Sequence, residues 1–367
     1  MKYNLLDKIT IVIMSYNRHI YLKRTIQYWS NYNVKLLILD GSDIKFDDPC
    51  LMLKNIKYIH NKEGYYNRLL SSVNYIDTDF MILGCDDEFY LPSALSACIE
   101  FLTKEDSYSC CGGRAVGFYT LNKMVFGAEQ YPKLKNLCLE DDNALNRIES
   151  HFSDYVPAHN YSVIRSDKWR EISNHIFKKE YNFFASLELQ IEFLVMFSGK
   201  SKIIPQLMWM RNVEVPPSRE SDPTTFSNVQ IVDWWYDKKF IKEKKDFLHL
   251  MKRACDELIK NKNFDYSEDT ISRLIEIHVE KILKKKLSKK FFFSSIIDLI
   301  SYKKIISLFP HEKKKFIKKF IRWEIISTYI KKTLMSQVNL LETEGVLVNH
   351  KDLNHVILAL LENNKKN

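Results

Sequence analysis

Three acidic residues stand side by side in the segment ILGCDDEFYLP, which spans residues 82–92. Asp86, Asp87 and Glu88 have no lysine or arginine within four positions along the chain. Adjacent carboxylates repel one another, and clustered carboxylates bind hard cations such as Mg²⁺ or Mn²⁺ together with substrate phosphate oxygens. The three acids therefore indicate a cation site, and the alternative is a solvated turn that caps the following helix.

The elements around these acids alternate between short apolar runs and helical patterns. Apolar, often β-branched runs predict strands at residues 8–16, 34–43, 56–61 and 79–88. Apolar residues at helical spacing predict helices at residues 18–32, 63–76 and 91–104. This alternation predicts an α/β fold, in which a mostly parallel sheet is flanked by helices.

The carboxyl ends of the predicted strands bring polar residues to one edge of the sheet. Tyr16 lies at the end of the first strand, Asp40 closes the second, and the three acids close the fourth. Ligands of open α/β sheets bind beyond these strand ends. The sequence therefore predicts a ligand site at this edge, with the acids in it.

The composition excludes several classes of protein. The 367 residues are 46% hydrophobic and include only nine glycines and nine prolines, which indicates a packed core. The N-terminal sequence lacks the features of a secretory signal, and no stretch is long and apolar enough for a membrane-spanning helix. Seven cysteines without a CxxC pair indicate reduced thiols. We therefore expect a cytoplasmic protein.

The net charge of +9 comes from the C-terminal part of the chain. Residues 231–367 contain 29 lysines and arginines against 18 acidic residues, in a helical pattern. This change predicts a domain at residues 1–230 and a basic helical domain at residues 231–367. The basic, aromatic segment 281–322 suits the inner surface of an anionic membrane. An ordinary lysine-rich helical domain is the alternative, and nucleic acid is disfavoured because no recognition motif is visible.

Six segments in order resemble the family-two glycosyltransferases, the nucleotide-sugar-dependent enzymes with the GT-A fold. The resemblance covers about residues 8–212. ITIVIMSYNRHIYLKRTI, LLILDGSD and NKEGYYNRLLSSV are similar to the first strand and helix, the second-strand acidic element and the Asn-Gly-Arg segment of that family. GCDDEFYLP resembles its metal segment, NYSVIRSDKWREI its acceptor-side strand and turn, and LELQIEFLVMFSGKSKIIPQLMWMRN the segment that carries its catalytic acid.

The resemblance implies nucleotide-binding roles for four residues. The ring of Tyr16 would pack on the base, and the carboxylate of Asp40 would accept a hydrogen bond from it. Arg68 would face the diphosphate or the base, and Asp86 would contact the ribose or a metal-bound water. Alternative roles remain: a packed aromatic for Tyr16, an Asx turn with Gly41 for Asp40, and a helix-surface cation for Arg68.

The resemblance also implies a metal site and a general base. Glu88, which stands where the family usually has aspartate, would bind Mg²⁺ or Mn²⁺, and Asp87 is the alternative ligand. Glu188 falls on the base position, although Leu187 replaces the acid that normally precedes it. Glu192 is the reserve candidate for the base, and a polar helix face is the alternative role for both glutamates.

Further contacts to an acceptor or to phosphate would come from His159, Glu192 and Arg211, and a satisfied structural histidine is the alternative role for His159. The implied reaction transfers a sugar from a nucleoside diphosphate sugar, with UDP favoured, to a hydroxyl of a surface polysaccharide or a lipid-linked glycan. A base opposite the leaving group implies inversion by direct displacement. Because Leu39 and Leu187 replace family acids, a non-catalytic membrane-associated scaffold stays open as an alternative, as does a nucleotidyl- or polyol-phosphate transferase.

Overall fold

The computed structural model describes residues 5–135, 137–176, 179–183, 185–214, 229–259, 266–292 and 332–362. Ten strands form one mixed sheet. They are β1 (Ile9–Ser15), β2 (Lys35–Asp40), β3 (Ile56–His60), β4 (Phe80–Cys85), β5 (Phe89–Tyr90), β6 (Tyr108–Leu121), β7 (Met124–Gln130), β8 (Cys138–Leu139), β9 (Val163–Arg165) and β10 (Lys200–Asn212).

Helices cover both faces of this sheet. They are α1 (His19–Trp29), α2 (Tyr65–Ser71), α3 (Pro92–Lys104), α4 (Ala144–Ser153), α5 (Ser166–Ile176), α6 (Ser186–Ser198), α7 (Ile231–Tyr236), α8 (Ile241–Ile259), α9 (Glu268–Phe292), α10 (Leu334–Thr343) and α11 (His350–Glu362). The predicted α/β class is confirmed. Helix α2 is shorter than the predicted helix at residues 63–76, because the chain turns into a 3₁₀ segment at Ser72–Asn74.

The strand order is β3-β2-β1-β4-β9-β6-β10-β5, with β7 beside β6 and β8 beside β10. Strands β1 to β4 are mutually parallel where they pair, as the alternation of strands and helices predicted. Strand β9 is antiparallel to both β4 and β6, and β6 is parallel to β10. The carboxyl ends of β1, β2 and β4 therefore meet at one edge of the sheet.

The apolar core consists of two clusters, one on each face of the sheet, because alternate strand residues point to opposite faces. One cluster combines Ile11 and Ile82 with side chains of α1, α3, α10 and α11. The other combines Val12 and Met81 with side chains of α2 and α4 to α9. Helices from beyond residue 230 thus share both clusters with the N-terminal part, and the division of the chain at residue 230 stays a prediction.

The basic segment 281–322 is only partly described, since residues 293–331 lie outside the described ranges. Within those ranges, no helix combines the length and the apolar character that crossing a membrane requires.

Candidate active site

The acidic turn directly follows β4, and its cationic partner comes from another part of the chain. Arg18 lies between β1 and α1, and its Nη1 is 3.3 Å from Asp86 Oδ1, while its Nη2 donates a hydrogen bond to Asp87. Ser15 Oγ also donates to Asp86 Oδ2 at 2.9 Å. Because β1 and β4 are neighbours in the sheet, the end of β1 supplies the charge that the local sequence lacks.

Three arginines oppose the repulsion between these acids, because the charges of Arg18 and Arg24 act on Asp86 and the charge of Arg211 acts on Glu88, but burial outweighs them. Burial, and then the charge of Asp87, raise the pKa of Asp86 to about 7. Burial, and again the charge of Asp87, raise the pKa of Glu88 to about 8. Burial and the repulsion from Asp87 therefore disfavour the ionised forms of Asp86 and Glu88, which a bound cation would stabilise.

Glu88 is positioned by the last strand of the sheet. Strand β5 pairs antiparallel with β10, in the register Trp209 to Tyr90. This pairing lets Trp209 Nε1 donate to Glu88 Oε2 at 2.7 Å and places Arg211 Nε 3.9 Å from Glu88 Oε1. The Trp209 ring stacks against Tyr161, with ring centroids 3.9 Å apart, and this packing holds its orientation.

The acidic turn fits a divalent cation. One ligand atom from each of Cys85, Asp87 and Glu88 lies within 4.8 Å of the others. The two carboxylates are the hard oxygen ligands that Mg²⁺ and Mn²⁺ take, with substrate phosphate completing the shell, whereas a thiol is a soft ligand. A cation bound there would stabilise the ionised form of Glu88 and so lower the pKa that burial raises.

Asp40 lies at the end of β2 and is fully buried. Its Oδ1 accepts a hydrogen bond from Ser42 N at 3.0 Å, which is the Asx turn that the sequence left open. Its Oδ2 accepts one from Tyr58 OH at 2.7 Å and lies 3.4 Å from His19 Nε2. Asp40 therefore already has several intramolecular partners at this edge of the sheet.

Arg68 is buried under the same edge and is not a helix-surface cation. Its guanidinium donates to the backbone oxygens of Ser15 at 2.8 Å and Leu39 at 3.1 Å. It thus ties the ends of β1 and β2 together. Tyr16, the residue after β1, is half-buried at this point.

Glu188 lies in the first turn of α6, which is entered from Ala185 in the left-handed conformation, with φ 62°. Tyr155 OH donates to Glu188 Oε1 at 2.6 Å. Burial raises the pKa of Glu188 to about 7, and the charge of Glu192 acts in the same direction. A carboxylate that titrates near neutral pH is suited to accepting a proton.

The charge of Arg211, which lies 3.9 Å from Glu88, also acts on Glu188. The positive charge of Arg211 opposes the burial effect both at Glu88 and at Glu188. Tyr161 is likewise influenced, after burial, by the charges of Glu88 and Glu188. The structure thus brings the acidic turn, Arg211 and Glu188 into one region, although they come from β4, β10 and α6.

His159 and Glu192 are fully buried instead. Glu192 accepts hydrogen bonds from His151 Nε2 at 2.9 Å, from the backbone of His159 and Asn160 at 2.9 Å each, and from the His159 ring. The other His159 nitrogen lies 2.8 Å from Ser201 Oγ. Because neither side chain is exposed, they present no surface to a ligand. They form a buried network that joins α6 to the segment before β9.

Sequence reasoning missed two residues of the region, Arg18 and Tyr155. The signal for Arg18 was its position two residues after Tyr16, at the end of β1, because β1 lies beside the strand that precedes the acids. Nothing in the sequence pairs Tyr155 with Glu188, because they meet only when α4 and α6 pack together.

The family-model match lies in the N-terminal half of the chain, whereas similar solved structures cover more than three quarters of it. Residues 10–180 match the family model described as glycosyl transferase family 2. Among solved structures, TarS 1–349 of S. aureus is similar at 11% identity, covering 79% of this chain and 76% of that chain, with a TM-score of 0.48. The same protein in complex with UDP-GlcNAc gives 14% identity, coverage of 78% and 73%, and a TM-score of 0.46. No curated protein matches the chain in sequence.

Proposed function

We propose that this protein is a glycosyltransferase of the family whose model residues 10–180 match, and that it transfers a sugar from a nucleoside diphosphate sugar to an acceptor hydroxyl. The observation that carries the proposal is the acidic turn after β4, where Asp87 and Glu88 lie close enough to share a cation and Arg211 lies 3.9 Å from Glu88, while the charge of Arg211 also acts on Glu188. A leaving diphosphate needs cationic partners, and a poorly nucleophilic alcohol needs a base. The region offers both.

Glu188 acts as the general base. The acceptor oxygen attacks the anomeric carbon while its proton passes to the Glu188 carboxylate. The bond from the anomeric carbon to the diphosphate oxygen breaks, and its electron pair leaves with the nucleoside diphosphate. Because attack is opposite to the leaving group, the anomeric configuration is inverted. Tyr155 holds Glu188 in place and favours its ionised form.

Asp87 and Glu88 would hold Mg²⁺ or Mn²⁺. When bound, such an ion stabilises the negative charge that develops on the departing diphosphate. Asp86 stays with Arg18 and Ser15 and faces the ribose side of the donor. UDP is our preferred nucleotide, since an acidic metal segment suits a diphosphate leaving group.

Tyr16, Asp40 and Arg68 all belong to the proposed donor site, but Asp40 and Arg68 act by holding its shape. Arg68 acts by fixing the ends of β1 and β2, because its hydrogen bonds go to their carbonyls. Asp40 shapes the base pocket through its turn with Ser42, and Tyr16 lies nearest to solvent for packing on the base.

Glu188→Gln tests the base assignment. We expect kcat for sugar transfer to fall about 10²–10⁴-fold, because the amide cannot accept the proton, with donor affinity retained. UDP release from a panel of UDP-sugars with Mn²⁺ measures turnover, and calorimetry measures donor affinity. The exposed Glu149 in α4 gives the control variant Glu149→Gln, which should behave as wild type. Unchanged turnover in Glu188→Gln, or products in which a phosphoryl group has moved, would contradict the proposal.

We further propose that the enzyme works on a glycan or a lipid-linked acceptor at the inner face of the membrane. The support is the basic, aromatic composition of residues 281–322. Cosedimentation with vesicles of anionic lipid should exceed that with zwitterionic vesicles and should weaken with salt. Equal recovery from both vesicle types would remove this part of the proposal.

A further inference from the structure

A cavity of about 440 Å³ separates the catalytic helices α4 and α6 from helix α9 of the C-terminal part. Glu188 and its partner Tyr155 lie on one wall. The opposite wall comes from α9 and contains His278, Lys281, Ile282 and Lys285. These positions are three, four and seven residues apart, so they occupy one face of the helix. A helix outside the family-matched region thus completes a cavity around the proposed base.

The α9 wall carries positive charge. Lys281 and Lys285 are both exposed and lie one turn apart. Across the cavity, Lys133 is paired with Asp154, so these two charges offset each other. Lys281 therefore gives the α9 part of the lining a positive charge, and Glu188 lines the same cavity.

His278 is a buried polar residue of this wall. Its side chain is 7% exposed, and among the described residues its Nδ1 has no hydrogen-bond partner. Its ring lies 4.2 Å from the ring of Tyr155, which in turn bonds to Glu188. A buried nitrogen without a partner costs free energy, and such groups are commonly satisfied by a ligand or water.

We propose that this cavity is the acceptor site and that the acceptor carries an anionic group, a phosphate or a carboxylate, close to the hydroxyl that attacks. The proposal rests on the proposed function, since it takes Glu188 as the base. Lys281 binds the anion, the His278 ring contacts the acceptor, and the attacking hydroxyl reaches Glu188. The hydroxyl proton passes to Glu188 and the new bond joins its oxygen to the anomeric carbon, while the nucleoside diphosphate leaves.

Charge reversal at Lys281 tests this assignment on the full chain with Mn²⁺ and UDP bound. Binding of glycerol 3-phosphate, glucuronate, glycerol and glucose is measured by ligand-observed NMR titration. We expect each anionic probe to bind the wild type at least about tenfold more tightly than its neutral counterpart, since lysine–anion hydrogen bonds are charge-assisted. The two anions distinguish a phosphate acceptor from a carboxylate one.

Lys281→Glu should abolish this preference. The matched control is Lys284→Glu, which makes the same charge change on the same helix at a residue that does not line the cavity. Lys284 pairs with Glu280 at 3.4 Å. We expect the control to retain the preference. Lys281→Ala, with a smaller expected loss, serves as the second variant if charge reversal lowers the thermal midpoint.

Equal binding of anionic and neutral probes to the wild type would overturn the inference, and so would equal losses in Lys281→Glu and Lys284→Glu. Acceptor-independent UDP release from the donor is measured in parallel. If wild type binds the anions selectively but never releases UDP from any donor, the proposed function fails while the anion site stands. If UDP release is normal and no anion preference exists, only the acceptor assignment fails.

Discussion

At the scale of single residues, the account depends on how Glu188 is held. A carboxylate with a pKa near 7 is present in both protonation states at neutral pH, and Tyr155 OH, at 2.6 Å, favours the ionised state. The base works only when ionised. Transfer should therefore rise with pH through about 7 and level off above it.

Tyr155→Phe tests this dependence. Removing a hydrogen bond to a charged group costs about 1.5–3 kcal/mol, which raises the pKa of Glu188 by about one unit or more. We expect the acid limb of the kcat/KM profile to move to higher pH by that amount, with the plateau at high pH largely retained. Tyr75→Phe, a change beside Lys57, is the control. An unmoved limb in Tyr155→Phe would mean that another group, such as Glu88, controls the profile.

At the scale of elements, the ends of β1 and β2 are fixed by Arg68 beneath Gly41. A Cβ atom on residue 41 would lie 2.4 Å from Arg68 Cζ. The guanidinium has little room to withdraw, because it is buried and bonded to the carbonyl oxygens of Ser15 and Leu39. This close approach explains why glycine follows Asp40.

Gly41→Ala should therefore destabilise the protein and weaken donor binding together. We expect a loss of about 1–3 kcal/mol in the free energy of unfolding, the usual cost of overpacking. Gly64→Ala is the matched control, because its Cβ would meet its nearest atom, Glu180 Oε1, at 3.9 Å. Chemical denaturation measures stability, and UDP calorimetry measures binding. Equal stability of the two variants would show that Arg68 can move aside.

The elements also show what the sequence could predict. Strands β1, β2 and β4 were predictable because buried parallel strands are continuous apolar runs, and their polar ends then had to meet at one edge. The burial of Arg68 was not predictable, since helical spacing does not reveal which face of α2 points into the sheet. The same limit hid Arg18, whose pairing with Asp86 and Asp87 depends on the adjacency of β1 and β4.

His159 and Glu192 show a limit of a different kind. Their residue types suit substrate contacts, and both were predicted to contact acceptor or phosphate. In the structure, α6 instead packs against the segment that precedes β9. There the buried Glu192 carboxylate accepts hydrogen bonds from two histidine rings and two backbone amides. Only tertiary structure distinguishes such a network from a ligand site.

At the scale of the whole molecule, the C-terminal helices α10 and α11 pack against the N-terminal part of the chain. Helix α3 begins after Leu91, which provides no side-chain cap, and Asp352 of α11 accepts a hydrogen bond from Ser93 N at 2.8 Å. Asp352 is fully buried. An anion at a helix N-terminus is stabilising, so α11 caps a helix that lies some 250 positions earlier in the chain.

Asp352→Ala should lower the free energy of unfolding by about 1–3 kcal/mol, because it leaves a buried amide of α3 without its acceptor. Thermal and urea unfolding of the full chain measure this loss. The neighbouring exposed residue gives the control Lys351→Ala, for which we expect little change. If Asp352→Ala unfolded in two separate transitions, α10 and α11 would form an independent unit instead of part of the catalytic core.

The most direct test of the central claim is the position of Mn²⁺ in a crystal grown with Mn²⁺ and a UDP-sugar. Anomalous diffraction should place the ion about 2.0–2.2 Å from carboxylate oxygens of Asp87 or Glu88, bridged to the diphosphate of the donor. The described residues contain one other group of potential ligands, His151, His159 and Glu192. An anomalous peak there, or a nucleotide bound away from the carboxyl ends of β1, β2 and β4, would contradict the account.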